Sequence, residues 1–216
     1  MKHKTAKYAT YFLILFYSVG VLGFTIPFTH NFFRTLTPFA LLLSAAFIIW
    51  FHKPRFNSKT LLVFGLIYVV SFVAEAIGVN TGLLFGDYIY GKGLGPKIFE
   101  TPLMIGLNWL MLVYCTKVIT DQLFQKEIIQ LIAGPLMMVG YDLVMEQAAP
   151  GLDMWSWNGG TIPLQNYLAW FGFAFLFHLL IRKSKVSFAN ALAAPVFIIQ
   201  FLFFVILVVF FRLDLS

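Results

Sequence analysis

Seven long apolar runs, at residues 8–26, 33–51, 60–79, 102–119, 128–147, 163–181 and 190–211, decide what this chain can become. About 20 such residues in an α-helix cross the hydrocarbon core of a bilayer. A soluble fold has no interior large enough to hide seven of them. The composition agrees, with 60% hydrophobic and 11% charged residues, where soluble domains are about one quarter charged. The expected fold is all-α: a polytopic transmembrane bundle of about seven helices, with the lipid bilayer as its surroundings. The connections are too short to form a second domain, so residues 1–216 are expected to make a single integral-membrane domain without internal repeats.

The net charge of +6 does not describe a nucleic-acid surface, because the basic residues lie in the gaps between apolar runs. Nucleic acid is therefore not an expected partner. Counted on alternate sides, Lys2, Lys4, Lys7, Lys53, Arg55, Lys59, Lys117, Lys126, Arg182, Lys183 and Lys185 fall together, against Arg34, Lys92, Lys97 and Arg212. By the positive-inside rule the N-terminus is in the cytoplasm and the C-terminus outside. The basic start followed by an apolar run imitates a signal peptide, but the run is long and no small-residue cleavage site follows it, so it is expected to be kept as a span. With Cys115 the single cysteine, an internal disulfide and a CxxC metal site are both excluded.

The acids are distributed unevenly. Glu75, Asp87, Glu100, Asp142, Glu146, Asp153 and Asp214 all map to the outer side, and only Asp121 and Glu127 lie in a cytoplasmic connection, next to lysines. An ionisable group at the centre of a transmembrane helix costs about 2.5–3.5 kcal/mol on insertion scales, so Glu75, Asp142 and Glu146 read as functional. Asp142 and Glu146 are one helical turn apart and share a face. Ser71, Glu75 and Gly78 form a second polar, small-residue stripe, suited to the bundle interior. With Asn108 and Asn166 at similar depth, four helices supply polar groups to what reads as one pocket. Tyr88, Tyr90, Trp109, Trp155, Trp157 and Trp170 gather at the same level. About half of these aromatics are expected to serve only as an interfacial belt, with Trp155 and Trp157 turned over the pocket mouth.

Other chemistries fit poorly. His3, His30, His52 and His178 are scattered, unlike the histidine clusters of membrane di-iron enzymes, and the seventh segment has no lysine for a retinal Schiff base. "GKGLG" at residues 91–95 lacks the Ser or Thr and the strand-to-helix setting of a phosphate loop. Paired acidic motifs for magnesium diphosphate are missing. No metal and no cofactor are expected. A carboxylate-lined, aromatic pocket suits acid chemistry on an apolar alkene: a buried carboxyl can hold a proton for donation, and aromatic faces with a second carboxylate can stabilise a carbocation.

Three blocks, "EAIGVNTGLLFGDYIYGKGLGP", "PLMIGLNWLML" and "YDLVMEQAAPGLDMWSWNGGTIPLQNYLAW", resemble the carotenoid biosynthesis membrane-protein family that includes carotenoid 1,2-hydratases and bisanhydrobacterioruberin hydratases. The resemblance covers residues 75–170. The family's polar pattern falls on Glu75, Gly78, Gly82, Gly86, Tyr88 and Tyr90, then Pro102, Asn108 and Trp109, then Asp142, Glu146, Trp155, Trp157, Pro163, Asn166 and Trp170. A proline commonly follows the acid at the Glu146 position in the family; here Gln147 follows and the proline comes at Pro150.

The resemblance implies a hydro-lyase that adds water to the terminal C1=C2 bond of an acyclic carotenoid; the charge bias and the one-sided acids lead to the expectation of a plasma-membrane protein with its site towards the non-cytoplasmic side. Glu75, Asp142 and Glu146 would be catalytic. Asp87, Tyr88, Tyr90, Asn108, Trp109, Trp155, Trp157, Asn166 and Trp170 would bind the substrate. Other enzymes of the carotenoid pathway would be partners. Two rivals stay open at this point: a carotenoid cyclase that makes the same cation and loses a proton, and a carotenoid-binding protein or small proton-coupled transporter. One-sided acids and the missing inverted repeat count against transport.

Overall fold

The computed structural model describes residues 2–213; Asp214 lies outside them, as do the side chains of Lys2 and His3. The chain forms α1 (Lys2–Thr25), α2 (Pro27–Phe51), α3 (Ser58–Thr81), α4 (Leu103–Leu123), α5 (Glu127–Ala148), α6 (Leu164–Ser184) and α7 (Ala193–Leu213). All seven are long and apolar enough to span a membrane. Four short strands lie in the connections: β1 (Tyr88–Tyr90), β2 (Lys97–Ile98), β3 (Thr101–Pro102) and β4 (Trp155–Trp157).

Two helices depart most from the expected boundaries, α1 and α2, each beginning six residues early; α2 is the more instructive. Pro27 occupies its first turn, where a missing N–H costs nothing. Its polar residues His30 and Arg34 are not loop: both reach the Gly151 carbonyl, His30 from Nε2 at 3.0 Å and Arg34 from Nη2 at 2.9 Å. Tertiary contacts thus carry the helix through a stretch whose hydropathy is low.

The central helix is α4. Of its apolar window 78% is buried, against 22–39% for the other six, and it packs on α2, α3, α5, α6 and α7. The remaining helices show large apolar side chains outward, such as Leu15, Leu62, Leu136 and Leu168, a surface that only lipid makes affordable.

Connections at each end of the bundle bind one another. At the end expected to be cytoplasmic, His52 bridges to Asn190 and the Lys53 amide donates to the Ala189 carbonyl at 2.9 Å. There also Asp121, expected in the connection, lies exposed in the last turn of α4 and pairs with Lys117 and Arg182. At the opposite end, β1 from the α3–α4 connection pairs antiparallel with β4 from the α5–α6 connection, in the register Tyr88 to Trp157, Ile89 to Ser156 and Tyr90 to Trp155. This ribbon closes that end of the bundle.

Candidate active site

Alternation of side chains along a strand builds the site. In β1, Tyr88 and Tyr90 point inward and Ile89 outward; in β4, Trp155 and Trp157 point inward and Ser156 outward. Four aromatics therefore hang from one face of the ribbon. Tyr88 lies 5.1 Å from Trp157 and Tyr90 6.1 Å from Trp155, ring centre to ring centre.

Each inward pair grips one carboxylate. The Tyr88 and Tyr90 hydroxyls both donate to Glu75 Oε2 at 2.7 Å, and Trp109 Nε1 from α4 donates to Oε1 at 2.8 Å. Trp155 and Trp157 Nε1 donate to Glu146 Oε2 at 2.8 and 2.6 Å. Asn166 Nδ2, from α6, donates to Asp142 Oδ2 at 2.9 Å and Glu146 Oε1 at 3.2 Å. Asp142 is fully buried, and its Oδ1 has no hydrogen-bond partner among the described residues. The Trp109 ring stacks on Trp170 with centres 4.0 Å apart.

The phenols are outside the spans, and burial together with the Glu75 charge raises both far above the ordinary phenol value. They stay protonated and remain donors. Glycines allow the close fit. A Cβ on Gly78 would meet Phe85 at 2.5 Å and the Tyr88 hydroxyl at 3.3 Å, and Gly82 closes α3 in the left-handed region with φ 68°.

A cavity of about 20 Å³ remains between the two grips, lined by Glu75, Glu146, Asn166, the four ribbon aromatics, Trp170, Phe85 and Ile105. That volume suits a single water molecule. Among the described residues no group of three His, Cys, Asp or Glu has the arrangement of a metal site.

Most of the residues singled out in the sequence meet here, and the half of the aromatics expected to serve as a belt is not found: all six are in the cluster. Two other candidates are not brought in. Asp87 is exposed at the ribbon's edge, where it accepts from Asn158 Nδ2 at 2.8 Å. Asn108 is buried on α4, but its side chain makes no hydrogen bond to the carboxylates and does not line the cavity. Phe85 and Ile105 were missed, since nothing in an apolar sequence separates a lining Phe or Ile from a lipid-facing one. Gln147, standing where the family has proline, simply continues α5 to Ala148.

Fold and site together define a polytopic membrane protein that buries a carboxylate centre under an aromatic ribbon. Residues 36–215 match the family described as carotenoid biosynthesis protein, and the chain belongs to that family. The match reaches well beyond residues 75–170, into α2 and through α7. No curated protein and no solved structure matches it.

Proposed function

We propose that the protein is a carotenoid 1,2-hydratase, an enzyme of the hydro-lyase class. The observation that carries this reading is the water-sized cavity with a carboxylate on either wall, Glu75 and Glu146, beneath four aromatic faces. Family membership supplies the substrate class.

Hydrogen-bond accounting suggests the roles. Glu75 accepts three donors and Glu146 accepts three, as carboxylates do. Asp142 has one donor and a buried oxygen without any, the position at which a proton is best kept. The pair Asp142 and Glu146, bridged by Asn166, shares one acid proton, kept on Asp142 at rest and passed to Glu146, which faces the cavity, for donation. The π electrons of C1=C2 take this proton to form the C2–H bond, leaving a tertiary cation at C1. Aromatic faces and the Glu75 carboxylate stabilise the cation. Water attacks C1, its surplus proton passes to Glu75, and the product is a tertiary alcohol. Space for one water beside both carboxylates favours hydration over cyclisation, whose cation must be kept dry.

The Lys and Arg bias supports a cytoplasmic N-terminus and a site near the outer face of the plasma membrane. Ser156, exposed on the ribbon, offers a check: a Ser156→Cys protein should react with an impermeant maleimide added to intact cells.

Expression in cells that make an acyclic-ended carotene tests the function. Pigment heavier by one water per reacted end is expected. An isomer of unchanged mass would indicate cyclisation, and unaltered pigment would leave only binding or transport.

A further inference from the structure

A second cavity lies across α5 from the carboxylates. It measures about 200 Å³ and is lined by residues of α1, α2, α5 and α7 and by Leu152 of the α5–α6 connection. Tyr141 lines it, while the next residue along α5, Asp142, belongs to the carboxylate centre, so the two sites share α5 and use different faces of it. The walls are dominated by phenylalanine, including Phe24, Phe33 and Phe203, and no Asp, Glu, Lys, Arg or His lines them.

Its few polar groups are unusual for such a setting. The Tyr141 side chain is 1% exposed and lines the cavity. Thr37 Oγ1 is buried without a hydrogen-bond partner among the described residues. Gln200 donates from Nε2 to the Tyr17 hydroxyl at 2.7 Å, and that hydroxyl is tied to Ser44 at 2.8 Å. Buried polar groups left unpaired are costly, and the cost is greatest in a membrane, where water does not reach them. Phenylalanine walls call for an apolar chain. Uncharged hydroxyls, which donate and accept, call for one neutral group that can both accept and donate, which is a hydroxyl and not a phosphate or carboxylate.

We propose that this cavity is a binding site for the hydroxyl-bearing end of an isoprenoid chain, distinct from the carboxylate centre. The identity of the chain rests on the hydratase reading, whose product is such an alcohol; the existence of the site does not.

The test uses the full-length protein in lipid nanodiscs carrying Glu75→Gln, so that turnover cannot interconvert the probes. The probes are an acyclic polyene with a tertiary alcohol at one end and the same polyene without it, titrated by the shift in visible absorption. The alcohol should bind about ten-fold more tightly, the worth of one or two buried hydrogen bonds. Tyr141→Phe with Thr37→Val should bring the two affinities to within about two-fold, and Ala40→Phe, which fills the cavity without touching a hydroxyl, should do the same. Equal affinities in the parent, or a preference that survives both variants, would overturn the proposal, as would occupancy by a phospholipid acyl chain that the alcohol cannot displace. A wild-type protein that makes no hydrated pigment yet keeps the Tyr141-dependent preference would overturn the hydratase reading alone.

Discussion

The hairpins α3–α4 and α5–α6 solve the same problem with different supplies. Each buries acid in a membrane span and caps it with two aromatics from its own connection and one side chain from its returning helix. The first hairpin has three donors for one carboxylate: Tyr88, Tyr90 and Trp109 for Glu75. The second has three donor side chains, Trp155, Trp157 and Asn166, for two carboxylates, and Asp142 Oδ1 is left bare. Surplus donors suit a group that rests as an anion and can take a proton when one is released, and a deficit suits a group that keeps a proton. From this contrast the proposed division into base and acid follows without reference to the family.

The strongest way to break the contrast is to neutralise one side at a time. Glu75→Gln and Asp142→Asn should each lower hydration by about 10²–10⁴-fold, the usual worth of a general acid or base, with the protein still monodisperse on size exclusion. Pigment mass spectrometry per unit of folded protein reads the loss, and full activity in both would sink the assignment. Gly78→Ala comes next. Its new methyl drives Phe85 and Tyr88 off the α3 grip, at about 1–3 kcal/mol of overpacking, and a lower thermal midpoint with reduced activity is expected.

Removing donors sharpens the comparison further. Tyr88→Phe with Tyr90→Phe strips Glu75 Oε2 of both partners, and Trp155→Phe with Trp157→Phe does the same to Glu146 Oε2. Single changes should cost about 1.5–3 kcal/mol each, and the doubles more than their sums, because the second loss leaves the oxygen uncapped. Only the tyrosine grip has an alkaline signature. Its phenol values are raised in the folded state, so above the ordinary value of about 10 the native form binds more protons than the unfolded one and stability falls as pH rises. Thermal midpoints between about pH 8 and about pH 11 should decline less steeply in the double tyrosine variant than in the double tryptophan variant. The smallest effect belongs to Asp87→Ala, an exposed edge contact, expected to stay within about 0.5 kcal/mol.

Much of this was legible because lipid simplifies the problem. Hydropathy located all seven helices, and a one-turn spacing put Asp142 and Glu146 on one face. What sequence did not show was the pairing. Strands of three residues carry almost no periodic signal, and no local rule joins Tyr88 to Trp157 across the two helices between them. The trace available was the matching Tyr-x-Tyr and Trp-x-Trp alternation, each beside glycines. The Tyr141 cavity left less still, since its walls are mostly of the residue types that elsewhere in the chain face lipid. Asp87 was misjudged because acidity and neighbourhood were visible in the sequence while exposure was not.

The hairpins also bear on how such a chain enters a membrane. Every donor to Glu75 lies within 34 residues after it, and every donor to Asp142 and Glu146 within 24. Each pair of helices can therefore leave the insertion machinery with its acids already capped, before the other pair has been synthesised. The ribbon forms only when the second pair arrives, so the two grips would face each other only once both hairpins are in the membrane, with α7 still to follow.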